Sequence, residues 1–219
     1  MPRDRESVGG VGCSVRPYEP DDAAALADVM WRSVRSAALA DYSVEQTEAW
    51  LPVRRSPEAM HRWADDGRSV FVATLGEYGV VGYTDLEADG HIDHLYCVPE
   101  AVGSGTAAAL YDALERRAHE LGLGQLHVEA SESAKRFFEK RGFIVNERRD
   151  WELRDVPIHN YAMSKVIQVR HQAPHAPGQN GSGENPGTSR RRREPDQCRG
   201  CIGNVPRLPS EDERGRLRP

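Results

Sequence analysis

The sequence predicts an α/β domain built on a mixed central sheet, antiparallel in its first half and parallel around one glycine-rich turn, with helices flanking it. Three features carry that expectation. Apolar runs of strand length alternate along the chain with segments of helical period. Three successive strand-like runs, VFVATL, VVGYTDLE and HIDHLYCV, are joined by short EYG and ADG turns, which suits an antiparallel meander. The third run then enters CVPEAVGSGTAAAL, where two glycines lead straight into a helix.

The elements follow in order. Residues 14–18 read as a short strand. Asp21 or Asp22 then caps a helix whose apolar face is Leu26, Val29, Met30 and Val34. Ser43-Val44-Glu45-Gln46 is a capping box opening a short helix that Pro52 ends. Ser56-Pro57 supplies an N-cap and a first-turn proline for a second short helix, which stops near Gly67. After the three meander strands comes a helix with Ala107, Leu110, Leu114, Ala118 and Leu121 inward, ended by Gly122. Residues 125–130 are a strand, Ser131 caps a helix over 132–140, and Gly142 ends it. Residues 143–145 and 158–163 read as two last strands.

Composition sets the limits of the domain. Residues 168–219 hold 7 Gly and 7 Pro and few large apolar groups, too little to offset chain entropy, so a disordered tail is expected there. Residues 1–12 read as a disordered lead with no apolar core of a signal peptide. One domain is therefore expected over 13–167. No apolar run is long enough for a membrane span. Four cysteines (Cys13, Cys97, Cys198 and Cys201) are too few for a disulfide scaffold, which suits a reducing, cytoplasmic setting. The net charge of −5 is uneven: the tail carries 10 Arg against 6 Asp and Glu, so residues 1–167 carry −9. An acidic body suits a cationic substrate better than nucleic acid or an anionic membrane. The Arg190–Arg193 run reads as a solvated tail segment, and Cys198-Arg199-Gly200-Cys201 has no second ligand pair, so no metal site is expected.

The glycine turn carries the chemistry. A strand ending in a turn with Gly103 and Gly105, followed at once by a helix, presents several backbone N–H groups together with the positive end of the helix dipole. That is an anion site suited to a pyrophosphate. Taken alone, the same glycines more readily serve a plain tight turn at a helix N-terminus. The turn is not a Walker A loop, since no Gly-Lys-Ser/Thr follows, and its glycine spacing differs from the dinucleotide fingerprint.

The combination of motifs resembles the GNAT superfamily of acyl-CoA-dependent N-acetyltransferases. The stretches that carry the resemblance are Leu95-Tyr96-Cys97-Val98-Pro99, Val102-Gly103-Ser104-Gly105-Thr106-Ala107, and Ala130-Ser131 through Phe137-Phe138-Glu139-Lys140-Arg141-Gly142-Phe143. The closing Asn160-Tyr161-Ala162-Met163-Ser164-Lys165 fits as well, and Val15-Arg16-Pro17-Tyr18 with Asp41-Tyr42-Ser43, Gln46, Trp50 and Pro52 resembles a YafP-like bacterial branch. The match spans nearly all of residues 14–167.

The resemblance implies acetyl transfer from acetyl-CoA to a primary amine of a small molecule or peptide, by direct attack and without a covalent enzyme intermediate. It implies that Val102, Gly103, Ser104, Gly105, Thr106 and Ala107 hold the CoA pyrophosphate. A backbone N–H near Cys97 or Val98 would meet the acetyl carbonyl, and Ser131 and Phe138 would border the CoA arm. Val102 replaces a Gln or Arg beside the phosphates. Phe138 stands where a tyrosine commonly protonates the leaving thiolate, which leaves that step to water, to another group such as Tyr161 or Tyr96, or to proceed without a donor, a CoA thiolate being a fairly stable leaving group. His91 and Asp93 occupy the strand positions suited to a general base; His91 as a solvated turn residue is the competing reading. Tyr42 and Trp50 are candidates for the acceptor wall, with core packing the alternative. A monomer or homodimer fits. The rival function is a non-catalytic acyl-CoA-binding or interaction domain, with a nucleic-acid-binding tail as a third reading.

Overall fold

The computed structural model describes residues 13–168. The expected lead and nearly all of the expected tail lie outside them. The element order is β1 (Cys13–Pro17), α1 (Ala23–Arg32), α2 (Val44–Trp50), α3 (Pro57–Ala64), β2 (Ser69–Leu75), β3 (Val80–Leu86), β4 (His91–Ile92), β5 (Leu95–Cys97), α4 (Thr106–Glu120), β6 (Gln125–Ala130), α5 (Glu132–Lys140), β7 (Ile144–Leu153) and β8 (Val156–Val166).

Local signals set most boundaries. Ser43 Oγ accepts the Gln46 N–H at 3.2 Å and Gln46 returns the bond to the Ser43 N–H at 2.9 Å, so the capping box opens α2. Ser56 and Ser131 cap α3 and α5 in the same way, each through an N–H three residues on. The start of α1 differs from a simple cap. Pro20–Asp22 forms a 3-10 turn, and the Asp22 carboxylate accepts the Glu19 N–H while receiving both guanidinium nitrogens of Arg16. Beyond Arg32 the helix widens into a π-turn over Ser33–Ala37, still burying Val34.

The expected strand HIDHLYCV is two strands belonging to two sheets. One sheet runs β1-β2-β3-β5, antiparallel throughout; the other runs β4-β6-β8-β7. β4 pairs in parallel with β6 (His91 with His127, Ile92 with Val128), then the chain leaves β6, and β5 pairs with β3 (Tyr96 with Tyr83). The crossing point is Asp93–His94. There Asp85 Oδ1 accepts the His94 N–H at 2.6 Å, Asp85 N–H donates to the His94 carbonyl at 3.2 Å, and Thr84 Oγ1 donates to the same carbonyl at 2.9 Å. Side chains thus close a ladder that the backbone alone leaves irregular. The consequence for function is a gap between β5 and the end of β6.

α4 packs on β1, β2, β3 and β5, α1 on α3, β3 and β5, and α5 on β6, β7 and β8. The shared core includes Leu26, Met60, Val72, Leu110, Leu114, Leu126 and Phe137. On α4 the inward face holds Leu110, Leu114 and Ala118 as expected; Leu121 is exposed, and Tyr111 takes the buried place instead.

The last hairpin is longer than its sequence suggests. β7 and β8 run from Ile144 to Val166 through a turn at Arg154 and Asp155, both with positive φ (53° and 62°). The turn lacks glycine, and β7 is an edge strand rich in charge, so neither the turn signal nor the apolar alternation marks it.

Gly90 fixes where β4 begins. Its φ is +92°, and a Cβ there would lie 2.3 Å from the Gln125 carbonyl oxygen; its own carbonyl accepts the His127 N–H at 3.0 Å, opening the parallel ladder. Gly90→Ala is expected to destabilise the fold by about 2–4 kcal/mol, against about 1 kcal/mol for Gly67→Ala, whose φ is also positive but whose Cβ meets open space. Urea midpoints of the two variants check this; equal losses would show that the contact with Gln125 does not matter.

Candidate active site

The glycine turn begins where β5 ends. Pro99–Ala101 makes a 3-10 turn, Gly103 and Gly105 have φ of +76° and +84°, and Gly105 is the residue that caps α4. A Cβ at either glycine would meet nothing within 4 Å, so both face open space. Three N–H groups of the turn are engaged internally: Val102 with the Pro99 carbonyl, Ser104 with the Ala101 carbonyl, and Thr106 with Ser104 Oγ. The Ser104 hydroxyl also bonds Thr106 Oγ1 at 2.6 Å, and Thr106 is buried. The N–H groups of Gly103, Gly105, Ala107 and Ala108 take no part in these bonds, and the helix end adds partial positive charge. Within the stretch Val102–Ala107, the N–H groups of Gly103, Gly105 and Ala107 are thus the ones outside these bonds. Val102 itself is partly exposed at its rim.

Cys97 and Val98 lie between β3 and the gap. Val98 donates its N–H to the Val81 carbonyl at 2.9 Å. Antiparallel pairing alternates, so the Cys97 N–H points away from β3, toward the gap. Of the two, Cys97 is the one whose N–H points away from β3.

His91 is buried and held at both nitrogens. Nδ1 lies 3.1 Å from Glu87 and Nε2 2.6 Å from Glu129, which in turn meets Arg149 at 3.2 Å. Burial acts to lower its pKa, but the hydrogen bonds and charges of Glu129 and Glu87 outweigh it and raise it to about 9. At neutral pH it is an imidazolium with both N–H groups engaged, poorly suited to take a further proton.

Asp93 sits at the strand crossing. It accepts Trp63 Nε1 at 3.2 Å and Arg68 at 3.2 Å. Burial opposes its ionisation, yet His94, the Trp63 N–H and Arg68 hold it down near 2. Arg68 also bonds Asp85 and Asp66 and lies 4.6 Å over the Trp63 ring. The carboxylates of Asp85, Glu87 and Asp93 converge within 4.8 Å of one another, and the Arg68 guanidinium pairs with all three. Burial and the Asp93 charge push Asp85 up to about 8 against the pull of Arg68.

Sequence reasoning passed over His94, whose place in the crossing is a tertiary fact. Its ring packs among Trp63, Tyr83 and Tyr96, with centroids 4.3, 5.7 and 5.3 Å away. Burial drives it down to about 4, so it is neutral at pH 7. Nε2 lies 3.7 Å from Asp93, and Nδ1 has no hydrogen-bond partner among the described residues.

Tyr161 and Tyr42 belong to a third group at the start of α5. Tyr161 donates its hydroxyl to Glu132 at 2.6 Å, with Lys135 Nζ 4.4 Å over its ring. Tyr42 is buried, accepts the Glu132 N–H at 3.1 Å and donates to the His159 carbonyl at 3.2 Å. Its ring meets Trp50 edge-on at 5.7 Å. Tyr42 thus ties α2, α5 and β8 together. Trp50, Tyr96, Val34, Ser131 and Ser133 border a crevice too tight to admit a water molecule. Ser131 Oγ is engaged as the cap of α5. Phe138 is wholly buried against Phe137 and Phe143, 5.4 and 4.9 Å between centroids, so the phenyl ring serves the core.

A family model described as an acetyltransferase (GNAT) domain matches residues 38–165. The chain belongs to the GNAT acetyltransferase family. Among GNAT relatives, the N-acetyltransferase YafP of Escherichia coli strain K12 is 31% identical over 151 residues, covering 68% of this chain and 93% of that protein. The crystal structure of a GCN5-related N-acetyltransferase, aminotransferase class II, from Rhodopseudomonas palustris is 33% identical with a TM-score of 0.66, covering 74% of this chain and all of the other. The PaiA N-acetyltransferase of Thermoplasma acidophilum, solved with coenzyme A, shares the fold at 18% identity (TM-score 0.58, 71% of this chain and 99% of that one). Among the described residues, no helix is long and apolar enough to cross a membrane.

The His91 clamp has a thermodynamic signature. Its pKa is raised on folding from about 6.5 to about 9, so its stabilisation is complete below pH 6.5 and is lost as pH rises through 9. A loss on the order of 2–3 kcal/mol is expected between pH 6.5 and 9.5. Asp85, also raised, acts in the same direction, so Glu129→Gln isolates the share of His91 and should flatten the profile. A wild-type profile already flat over this range would show that the clamp does not hold the proton.

Proposed function

We propose that this protein transfers an acetyl group from acetyl-CoA to a primary amine of a small molecule or peptide. The observation that carries the reading is the open glycine turn at the head of α4, set at the mouth of the gap between β5 and β6. The N–H groups of Gly103, Gly105, Ala107 and Ala108 would hold the pyrophosphate, and Ser131 would border the arm. Acetyl-CoA supplies the acyl group as a thioester. The Cys97 N–H, aimed at the gap, would polarise the acetyl carbonyl. The amine forms its C–N bond as the C–S bond breaks, and the ammonium proton leaves to a base. We assign that base to the Asp93–His94 pair: His94 is neutral with Nδ1 unbonded, and Asp93 is ionised beside it. Tyr161, hydrogen-bonded to Glu132, is the candidate donor to the leaving thiolate, since Phe138 cannot donate.

The first test is calorimetric titration of acetyl-CoA into the full chain and into Gly105→Glu. Binding that falls roughly tenfold or more in the variant supports the cradle; no binding to the wild type sinks the reading. A panel of amines with detection of the released CoA thiol follows. With an accepted amine, His94→Gln should lower kcat by about 10²-fold while leaving acetyl-CoA affinity unchanged. An unaltered kcat would remove His94 from the reaction.

Two features favour a second reading, an acyl-CoA-binding domain without turnover: the buried Phe138 and the apolar Val102 at the rim. Binding without thiol release across the whole amine panel would establish it.

A further inference from the structure

A cleft of about 690 Å³ opens away from the glycine turn, between the end of β1, α3, the start of β2 and the last turns of α4. Its volume is typical of small-molecule sites. It is separate from the acetyl-transfer gap: Arg116 lies ten residues along α4 from Thr106, about 15 Å of helix.

Arginines outnumber carboxylates among the residues that line it. Arg16, Arg68, Arg116 and Arg117 line it, against the carboxylates of Asp65 and Glu120. Three of the four are fixed from behind. Arg16 is forked onto Asp22, Arg68 is held by Asp66 and Asp85, and Arg117 binds Ser69 Oγ through Nε and Glu120 through Nη1. Arg117 Nη2 has no partner among the described residues, and Arg116, exposed on the next position of the helix, forms no ion pair among them. Val70, Phe71 and Ala113 give the cleft an apolar floor. The wall beside them is the pair Tyr18 and His61, joined at 3.0 Å.

We propose that this cleft is a second binding site, for a small organic anion bearing carboxylate or phosphate groups. Arginines held in place lose little freedom on binding an anion, and their fork geometry matches both groups. The apolar floor accommodates the carbon part of the ligand. Arg68 is a wall common to two sites: it faces the cleft and also holds Asp85 and Asp93 at the strand crossing. The anion would therefore sit beside the residue that fixes the charge of the reaction centre.

The test is calorimetric titration of citrate and, separately, inorganic phosphate into the full-length wild type, Arg116→Ala/Arg117→Ala and Gly105→Glu. The expected result is one-to-one binding of at least one probe, weakened roughly tenfold or more by the arginine substitutions and unchanged by Gly105→Glu. Citrate alone would mark a carboxylate ligand, phosphate alone a phosphate ligand. Absence of binding by both probes overturns the proposal. So does binding lost in Gly105→Glu but kept in the arginine variant, which places the anion at the glycine turn. Thermal melts confirm that the double variant folds; if it does not, Arg116→Ala alone, at an exposed position, should still weaken binding several-fold, and unchanged affinity there overturns the proposal.

Discussion

The structure turns on one buried interaction, the Asp85 carboxylate accepting the backbone N–H of His94. A strand that changes sheets must break its ladder, and a broken ladder buries unpaired backbone groups. Asp85 and Thr84 satisfy both backbone groups of His94 from the neighbouring strand, and Arg68 donates to the Asp85 carboxyl group there. With that joint fixed, β4 runs beside β6 and β5 beside β3. The gap between β5 and β6, the direction of the Cys97 N–H and the position of the glycine turn all follow.

The same joint organises the charges. A carboxylate buried beside a second carboxylate is costly, so Asp85, Asp93 and Glu87 are gathered around a single guanidinium that is itself stacked on Trp63. A second clamp, Glu87–His91–Glu129, shares Glu87 with this cluster and holds an imidazolium near neutral pH. Two histidines three residues apart are thereby driven in opposite directions. His91 is bracketed by acids and stays charged. His94 is enclosed by rings and stays neutral. Environment, rather than residue type, sets their charge, and of the two only His94 keeps a ring nitrogen without a hydrogen-bond partner among the described residues.

The start of α5 is tied down for a related reason. Tyr42 bridges the first N–H of α5 and a β8 carbonyl, Gln46 donates to the Pro157 carbonyl, and Arg154 donates to the Ala49 carbonyl. Polar bonds to backbone, rather than apolar packing alone, fasten α2 across the hairpin. Tyr42 and Trp50 are therefore held in place by bonds and ring packing within the fold.

Much of this was legible in the sequence. Serines 43, 56 and 131 cap their helices because capping is a local bond among four residues, and local bonds leave local signatures. The glycine turn was legible for the same reason: positive φ at Gly103 and Gly105 and small residues in the next turn are written into the chain. Tertiary structure decided the rest. HIDHLYCV reads as one strand, because alternation is blind to which neighbour each half pairs with. The β7–β8 hairpin hides behind a glycine-free turn and a charged edge. His91 and Asp93 were visible as residues with acid–base chemistry, but their protonation states depend on Glu87 and Glu129, on Arg68 and Trp63, groups distant in sequence. Residue type and spacing determine where a strand, a cap or an anion cradle lies; burial and the charges brought alongside determine which side chain can accept a proton, because desolvation and Coulomb energy depend on distance in space.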